Sequence, residues 1–334
     1  MGEKNDTICS YLCRPDIFAD FINGSVYGGK QVILPEELEA LHYTGKEEHS
    51  DRNGKNVQKL RNRDVAKLRT KNNQYAILAI ENQDELHYYM PFRCMEYETD
   101  EYARQIRRLK KAHKLAKDLE SDAEFLSGIK KTDKLKPVVT FVFYHGKGNW
   151  DACRELHDMI DFSGENEIIK RYTSNYRINV ISLKDVDENC FCTSLREVIG
   201  MMRRRDDSEQ MYRFYKENEE RFRSIDEDTF DTISVMTDRK NLVKYKESNR
   251  KKEGKVDMCR AFDELEKQWY HDGEKAGILV GKMEGRQEGE QRFALLTRIL
   301  LEAGRIEDLC IASVNEENRN ALYEEYGLEC AGTT

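Results

Sequence analysis

Apolar and polar positions along this 334-residue chain change period several times, and each change predicts an element. In residues 15–27 (PDIFADFINGSVY), Ile17, Phe18, Phe21 and Ile22 fall on one helical face. Pro15 suits a first helical position, and Gly28-Gly29 ends the helix. After a polar connection rich in Glu, His and Asn come two extended segments. The first, residues 60–68, has Leu60, Val65 and Leu68 as its apolar members. The second, residues 74–81, carries the near-continuous run YAILAI, which reads as a central strand buried on both faces.

From 100 to 126, Tyr102, Ile106, Leu109, Ala112, Ala116, Leu119, Ala123 and Leu126 step by three and four, which predicts one long amphipathic helix. Residues 137–144 (PVVTFVFY) predict a second buried strand, followed by a His-Gly-Lys-Gly turn and a helix over 150–159. Residues 177–183 (RINVISL) predict a last strand. Strands separated by helices, with a hairpin early on, imply an α/β or α+β sheet covered by helices.

Beyond 183 the pattern predicts charged helices over 193–270, with a break at 203–209. Then Gly273, Gly277, Gly281, Gly285 and Gly289 recur every fourth residue. Each glycine costs a helix roughly 1 kcal/mol against alanine. The stripe is therefore either a close-approach face for another backbone or a hinge, and a hinge or marginal helix is favoured because nothing in it buries apolar surface. Two helices, over 291–303 and 316–326, close the chain. The organisation expected is a domain over 1–185, a helical region over 186–270, a hinge or helix over 271–290 and a helical tail over 291–334.

Composition narrows the class. Hydrophobic residues make up 39% and charged residues 35%, and with 17 Tyr and 13 Phe a large core is affordable. No apolar run reaches membrane-spanning length and the N-terminus lacks a signal-peptide pattern, so a soluble cytoplasmic protein is expected. The nine cysteines are an odd number at irregular spacing, without a second pair at zinc-ribbon distance from Cys9/Cys13 or Cys190/Cys192. They are expected as reduced, structural thiols. A formal net charge of −8 restricts any nucleic-acid contact to a local groove, for which the basic stretches are 104–117 (RQIRRLKKAHKLAK), which on its helical spacing reads first as a solvated face, and Arg203, Arg204 and Arg205.

Candidate chemistry lies where the buried strand runs into Glu81, Asn82 and Gln83. Residues two apart on a strand share a face, so Glu81 and Gln83 sit side by side, and the preceding strand of a hairpin can bring Asp64 beside them. Two converging carboxylates are hard oxygen ligands suited to magnesium or manganese, ions that polarise a phosphate and acidify a bound water. On the residues alone, a strand terminus that merely meets solvent accounts for the same pattern. Gln83 can orient a water but carries no charge. His87 and His145 read as hydrogen-bonded turn residues, and Tyr88, Tyr89 and Phe92 as core rather than a base-stacking platform.

These segments resemble the PD-(D/E)XK nucleases, and more closely the recombination-promoting nuclease family whose members often carry a transposase label. The resemblance rests on PDIFADFINGSVYGGKQV, on RDV around Asp64, on YAILAIENQ with HYYMPFR, and on FYHGKGNWDACRELHDM over 143–159. It spans roughly residues 10–185 well and the remainder more loosely. It implies a restriction-endonuclease-like mixed α/β sheet flanked by helices, with an α-helical C-terminal region. It also implies magnesium- or manganese-dependent cutting of DNA with little sequence preference, linked to recombination, mobile elements or defence. Asp64 then matches the motif's aspartate, Glu81 its second acid and Gln83 its lysine, a Lys-to-Gln change common in that family. The same resemblance suggests Asp20 or Asp16 as a further acid from the first helix, and Gln105 as a glutamine beside the metal. The basic face of the long helix and Arg203–Arg205 would hold phosphates, and cutting both strands of a duplex suggests a homodimer. A catalytically silent scaffold that binds DNA or protein is the alternative, kept open by the missing lysine.

Overall fold

A computed structural model describes residues 2–41, 48–50, 56–58, 64–71, 74–164 and 166–328. The chain divides into two compact units, Met1–Phe262 and Asp263–Thr334. The first begins with helices α1 (Glu3–Leu12) and α2 (Pro15–Tyr27). Pro15 opens α2, and Gly28 closes it at φ 59°, a left-handed conformation that glycine adopts without steric cost. Strands β1 (Leu38–Ala40), β2 (Glu48–Ser50), β3 (Asn56–Gln58), β4 (Val65–Lys71) and β5 (Gln74–Gln83) follow. Then come α3 (Met90–Ala116), α4 (Asp122–Ser127), β6 (Val138–Tyr144), α5 (Asn166–Ile169) and β7 (Asn179–Ser182). The main sheet has the order β1-β4-β5-β6-β7; β1, β4 and β5 are antiparallel neighbours, whereas β5, β6 and β7 run parallel. Strands β2 and β3 pair separately. The mixed sheet bears out the α/β expectation.

The registers decide what each face carries, since side chains alternate along a strand. Ile77, Ala79 and Glu81 share a face with Val138, Thr140 and Val142. Helix α3 covers this face, and its Met90 and Cys94 join Val142, Tyr144, Trp150 and Ile178 in one buried cluster. Because β7 pairs with β6 only from Phe141 onward, the N–H groups of Val138 and Thr140 have no strand beside them. They donate instead to the Tyr102 hydroxyl (3.2 Å) and to Glu98 Oε1 (3.1 Å) of α3. On the opposite face Phe143 meets Phe21 of α2 edge-on at 4.9 Å, and Lys67 donates to the Cys13 carbonyl at the end of α1 (2.5 Å).

Several expectations are corrected. Helix α3 starts ten residues before the expected 100 and stops at Ala116, where Lys117 turns left-handed (φ 52°). The remainder of the expected helix is the separate α4, whose N-terminus carries a capping box between Ser121 and Glu124. Residues 150–159 form no α-helix beyond a 3-10 turn at Leu156–Met159. Their backbone bonds sideways instead, with Leu156 N–H to the Tyr176 carbonyl and Ile178 N–H to that of Arg154.

Residues 186–262, set apart in the sequence reading, belong to the first unit. They supply α6 (Leu195–Arg203), α7 (Ser208–Glu217), α8 (Glu219–Phe222), α9 (Glu227–Met236) and a short antiparallel pairing of β8 (Ile225–Asp226) with β9 (Lys255–Val256). The expected break at 203–209 falls between α6 and α7. A buried hydroxyl network joins Tyr11 of α1 to Ser194 and Thr229, and Arg14 pairs with Asp226 at 2.8 Å. In the second unit the long α10 (Met258–Glu302), which starts in the first, is followed by α11 (Ile306–Val314) and α12 (Glu316–Glu325). Leu296, Leu300, Ala312, Leu322 and Tyr323 form its core. The glycine-rich stretch lies inside α10 and is helical. No helix among the described residues is long and apolar enough to cross a membrane.

Candidate active site

Strand pairing brings the two expected acids together. Val65 lies opposite Ile80, so the next step of the antiparallel register sets Asp64 opposite Glu81 on the face covered by α3. Asp64 Oδ2 accepts the Asn82 N–H at 2.8 Å, which ties the start of β4 to the end of β5. Glu81 is fully buried. Its Oε2 accepts from Arg93 Nη2 at 3.2 Å, and Arg93 Nε donates to the Tyr97 hydroxyl at 2.9 Å. Arg93 and Tyr97 are four residues apart in the first two turns of α3, hence on one helix face. Gln83 follows Glu81 on the same face, half-buried, and its carbonyl accepts the His145 N–H at 2.9 Å.

Burial and neighbouring charge set the electrostatics. Asp64 is pushed above the ordinary carboxylate range by burial; the Asn82 N–H and the Arg93 charge oppose this, and Asp6 adds to it. Burial works against the charge on Arg93, but the Tyr97 hydroxyl and the carboxylates of Glu81 and Asp64 more than compensate and raise it. Tyr97 is raised by burial and then by Glu81. Behind the strand, burial and the Asp64 charge push the Cys9 thiol up to about 12, and Asn82 Nδ2 donates to its sulfur at 3.2 Å. A thiol held this way is not a nucleophile.

The other expected residues lie elsewhere. Asp20 is buried, but its carboxylate accepts from the N–H groups of Cys192 and Thr193 and from the Thr193 hydroxyl at 2.6–3.0 Å, pinning the loop that leads into α6. Asp16 is paired with Arg14 at 2.9 Å. Gln105 exchanges two hydrogen bonds with the Lys136 backbone, at 2.7 and 3.2 Å, just before β6. Twelve residues separate it from Arg93, about 18 Å along the helix at 1.5 Å per residue. It staples the far end of α3 and does not face Glu81.

Tyr88, Tyr89 and Phe92, expected in the core, are 70, 55 and 41% exposed at the start of α3. His87 packs its ring on Tyr89, with centroids 4.1 Å apart. His145 is buried, its Nδ1 3.4 Å from Asp84 Oδ1. Arg203 and Arg204 both pair with Glu188, and Arg205 lies 3.8 Å from Asp84, so these three charges already have acidic partners. On α3, Arg107, Arg108, Lys110, Lys111 and Lys114 are exposed.

Arg93 and Tyr97 are the residues that reading the sequence missed. Their signal was the i, i+4 spacing immediately after Pro91, visible only if the helix is started there. Among the described residues no three His, Cys, Asp or Glu side chains gather into a metal cage. Asp64 and Glu81 nonetheless form a hard-oxygen pair of the kind that holds magnesium together with substrate phosphate oxygens. No disulfide joins the eight described cysteines.

A family model described as "Putative transposase, YhgA-like" matches residues 63–229, a span that contains Asp64, Glu81, Gln83 and Arg93. No curated protein and no solved structure matches the chain.

Proposed function

The chain belongs to the YhgA-like putative transposase family, which points to mobile elements, and from that premise we propose that it is a metal-dependent DNA endonuclease of the restriction-endonuclease-like, PD-(D/E)XK type. The observation that carries this reading is the pairing of Asp64 with the fully buried Glu81 at the end of β5, with a guanidinium laid against Glu81. A buried carboxylate is costly to maintain, and a purely structural one is normally met by backbone donors, as Asp20 is.

In this reading Asp64 and Glu81 would hold magnesium or manganese, which when bound supplies Lewis-acid polarisation of the scissile phosphate. The attacking water would stand beside this acid pair. Gln83 orients that water by hydrogen bonding without adding charge. The exposed lysines and arginines of α3 hold the DNA backbone, which gives salt-dependent binding without base readout. Cutting both strands of a duplex calls for two such centres, hence a homodimer.

Incubation of the purified protein with supercoiled plasmid tests the proposal. Nicking or linearisation with magnesium or manganese, and none with EDTA, is the expected result. Retention of plasmid without cutting under either metal would transfer the assignment to a silent DNA-binding scaffold, the reading favoured by the uncharged Gln83.

A further inference from the structure

We infer that Arg93 is the residue that supplies the fixed positive charge missing at Gln83 and presents it to a substrate phosphate; this rests on the endonuclease reading above. Position 83 shares a face with Glu81 and is two residues farther out, roughly 7 Å along the strand. A cation there would stand over the acid pair. The side chain present is an amide, and a charge arrives instead from α3, which covers that same face.

The guanidinium is held as a device rather than as a loose surface charge. Nη2 is fixed by Glu81 and Nε by Tyr97, itself buried, so two of the three nitrogens of a planar fork are locked. No protein atom of the described residues bonds Nη1, and the side chain remains 26% exposed. Such a fork, with one edge anchored on a carboxylate and the other open, matches the geometry by which arginine receives phosphate oxygens.

Its place in the helix also argues for a role. Arg93 stands at the beginning of a 27-residue helix with no acidic residue in its first turn, where the helix dipole disfavours a cation. A residue needed only to fill space there would carry no charge. Its guanidinium meets Glu81 at 3.2 Å, and Asp64 stands opposite Glu81 in the strand register. Arg93 thus offsets part of the repulsion that the acid pair would present to an incoming phosphate.

The test uses the full-length protein in two assays, with Arg93→Met, Arg93→Lys, Gln83→Lys and the Arg93→Met/Gln83→Lys double variant. Thermal unfolding confirms that each variant is folded, and Arg93→Lys, which keeps the charge, stands in if the methionine variant does not fold. The first assay is metal-free binding of a short DNA duplex in EDTA across a salt series. Loss of one phosphate contact should flatten the slope of log K against log salt by about 0.9 in Arg93→Met, with the slope kept in Arg93→Lys. The second is plasmid nicking: Arg93→Met should slow it by about a hundredfold, as removal of one preorganised charge donor does, and Gln83→Lys in that background should restore at least about tenfold of this loss. A parental slope and parental nicking in Arg93→Met would overturn the inference, and so would a double variant as slow as Arg93→Met alone. If the parent protein fails to nick at all, the endonuclease reading fails, while the salt slope still decides whether Arg93 meets a phosphate.

Discussion

Toward its C-terminal end α3 directs its polar side chains at the backbone and at surface partners: Gln105 closes a two-bond ring on Lys136, and His113 bridges Asp118 and Asp133 at 2.8 and 2.9 Å. In its first turns the same helix directs Arg93 at a fully buried carboxylate that a second acid faces from the neighbouring strand. Both ends set acids against a cation, but at the first the acid that meets it, Glu81, is fully buried, whereas Asp118 and Asp133 keep contact with water. The difference separates groups that stabilise the fold from groups positioned to act. A carboxylate already engaged by two N–H groups and a hydroxyl, as Asp20 is, has less left to offer a ligand.

Substitutions can break or sharpen this contrast. The largest effect is expected for Glu81→Ala. As a direct metal-holding residue it should lower plasmid cutting by more than the roughly 10–100-fold typical of outer-shell partners, with DNA retention in gel-shift assays largely intact. Next, Asp20→Ala strands buried N–H groups of Cys192 and Thr193 and should cost about 2–4 kcal/mol in urea unfolding, with cutting per folded molecule unchanged. Loss of cutting out of proportion to folding in that variant would move Asp20 into the working centre. Gln105→Ala should cost less, roughly 1–2 kcal/mol, because Lys136 keeps access to water.

The smallest effect concerns pH. Only an imidazolium can donate from both ring nitrogens, and the bonds to Asp118 and then Asp133 raise His113 above its ordinary value. A group raised in the folded state contributes its full stabilisation below the unfolded pKa of roughly 6.5 and loses it as pH rises through the folded value. Amide protection factors across residues 117–136, corrected for the base-catalysed intrinsic rate, should therefore be higher at pH 6 than at pH 8.5, and His113→Asn should remove the difference. The acid limb runs the other way, because Asp118 and Asp133 are held below the ordinary range and lose their contribution only as pH falls through their depressed values.

Legibility in the sequence followed the reach of the forces involved. Helix α2 carries its own start, stop and apolar face, and β5 and β6 are continuous apolar runs, so short-range patterns define all three. Helix α3 misled at both ends. Its first turns (MPFRCMEYET) mix buried Met90 and Cys94 with charged residues aimed at the sheet, and the three- and four-residue apolar spacing continues past Lys117 although the backbone turns there. At 150–159, Trp150 is drawn onto Tyr144 (centroids 5.3 Å apart), and pairing with residues 176–178 displaces the expected helix. The attachment of residues 186–262 to the sheet domain depends on contacts such as Tyr11 with Thr229, more than 200 residues apart, which no local period encodes. At the site, the acid pair was readable from strand spacing because hairpin register is local. Arg93 was not, since its role appears only once a helix is folded across the sheet.

The most direct measurement is plasmid cutting by Asp64→Ala and Glu81→Ala beside the parent, at matched concentrations of folded protein with magnesium or manganese. Loss of cutting in both, with the parent active, is the result expected if the end of β5 is the working centre; cutting by either variant at the parental rate would contradict it.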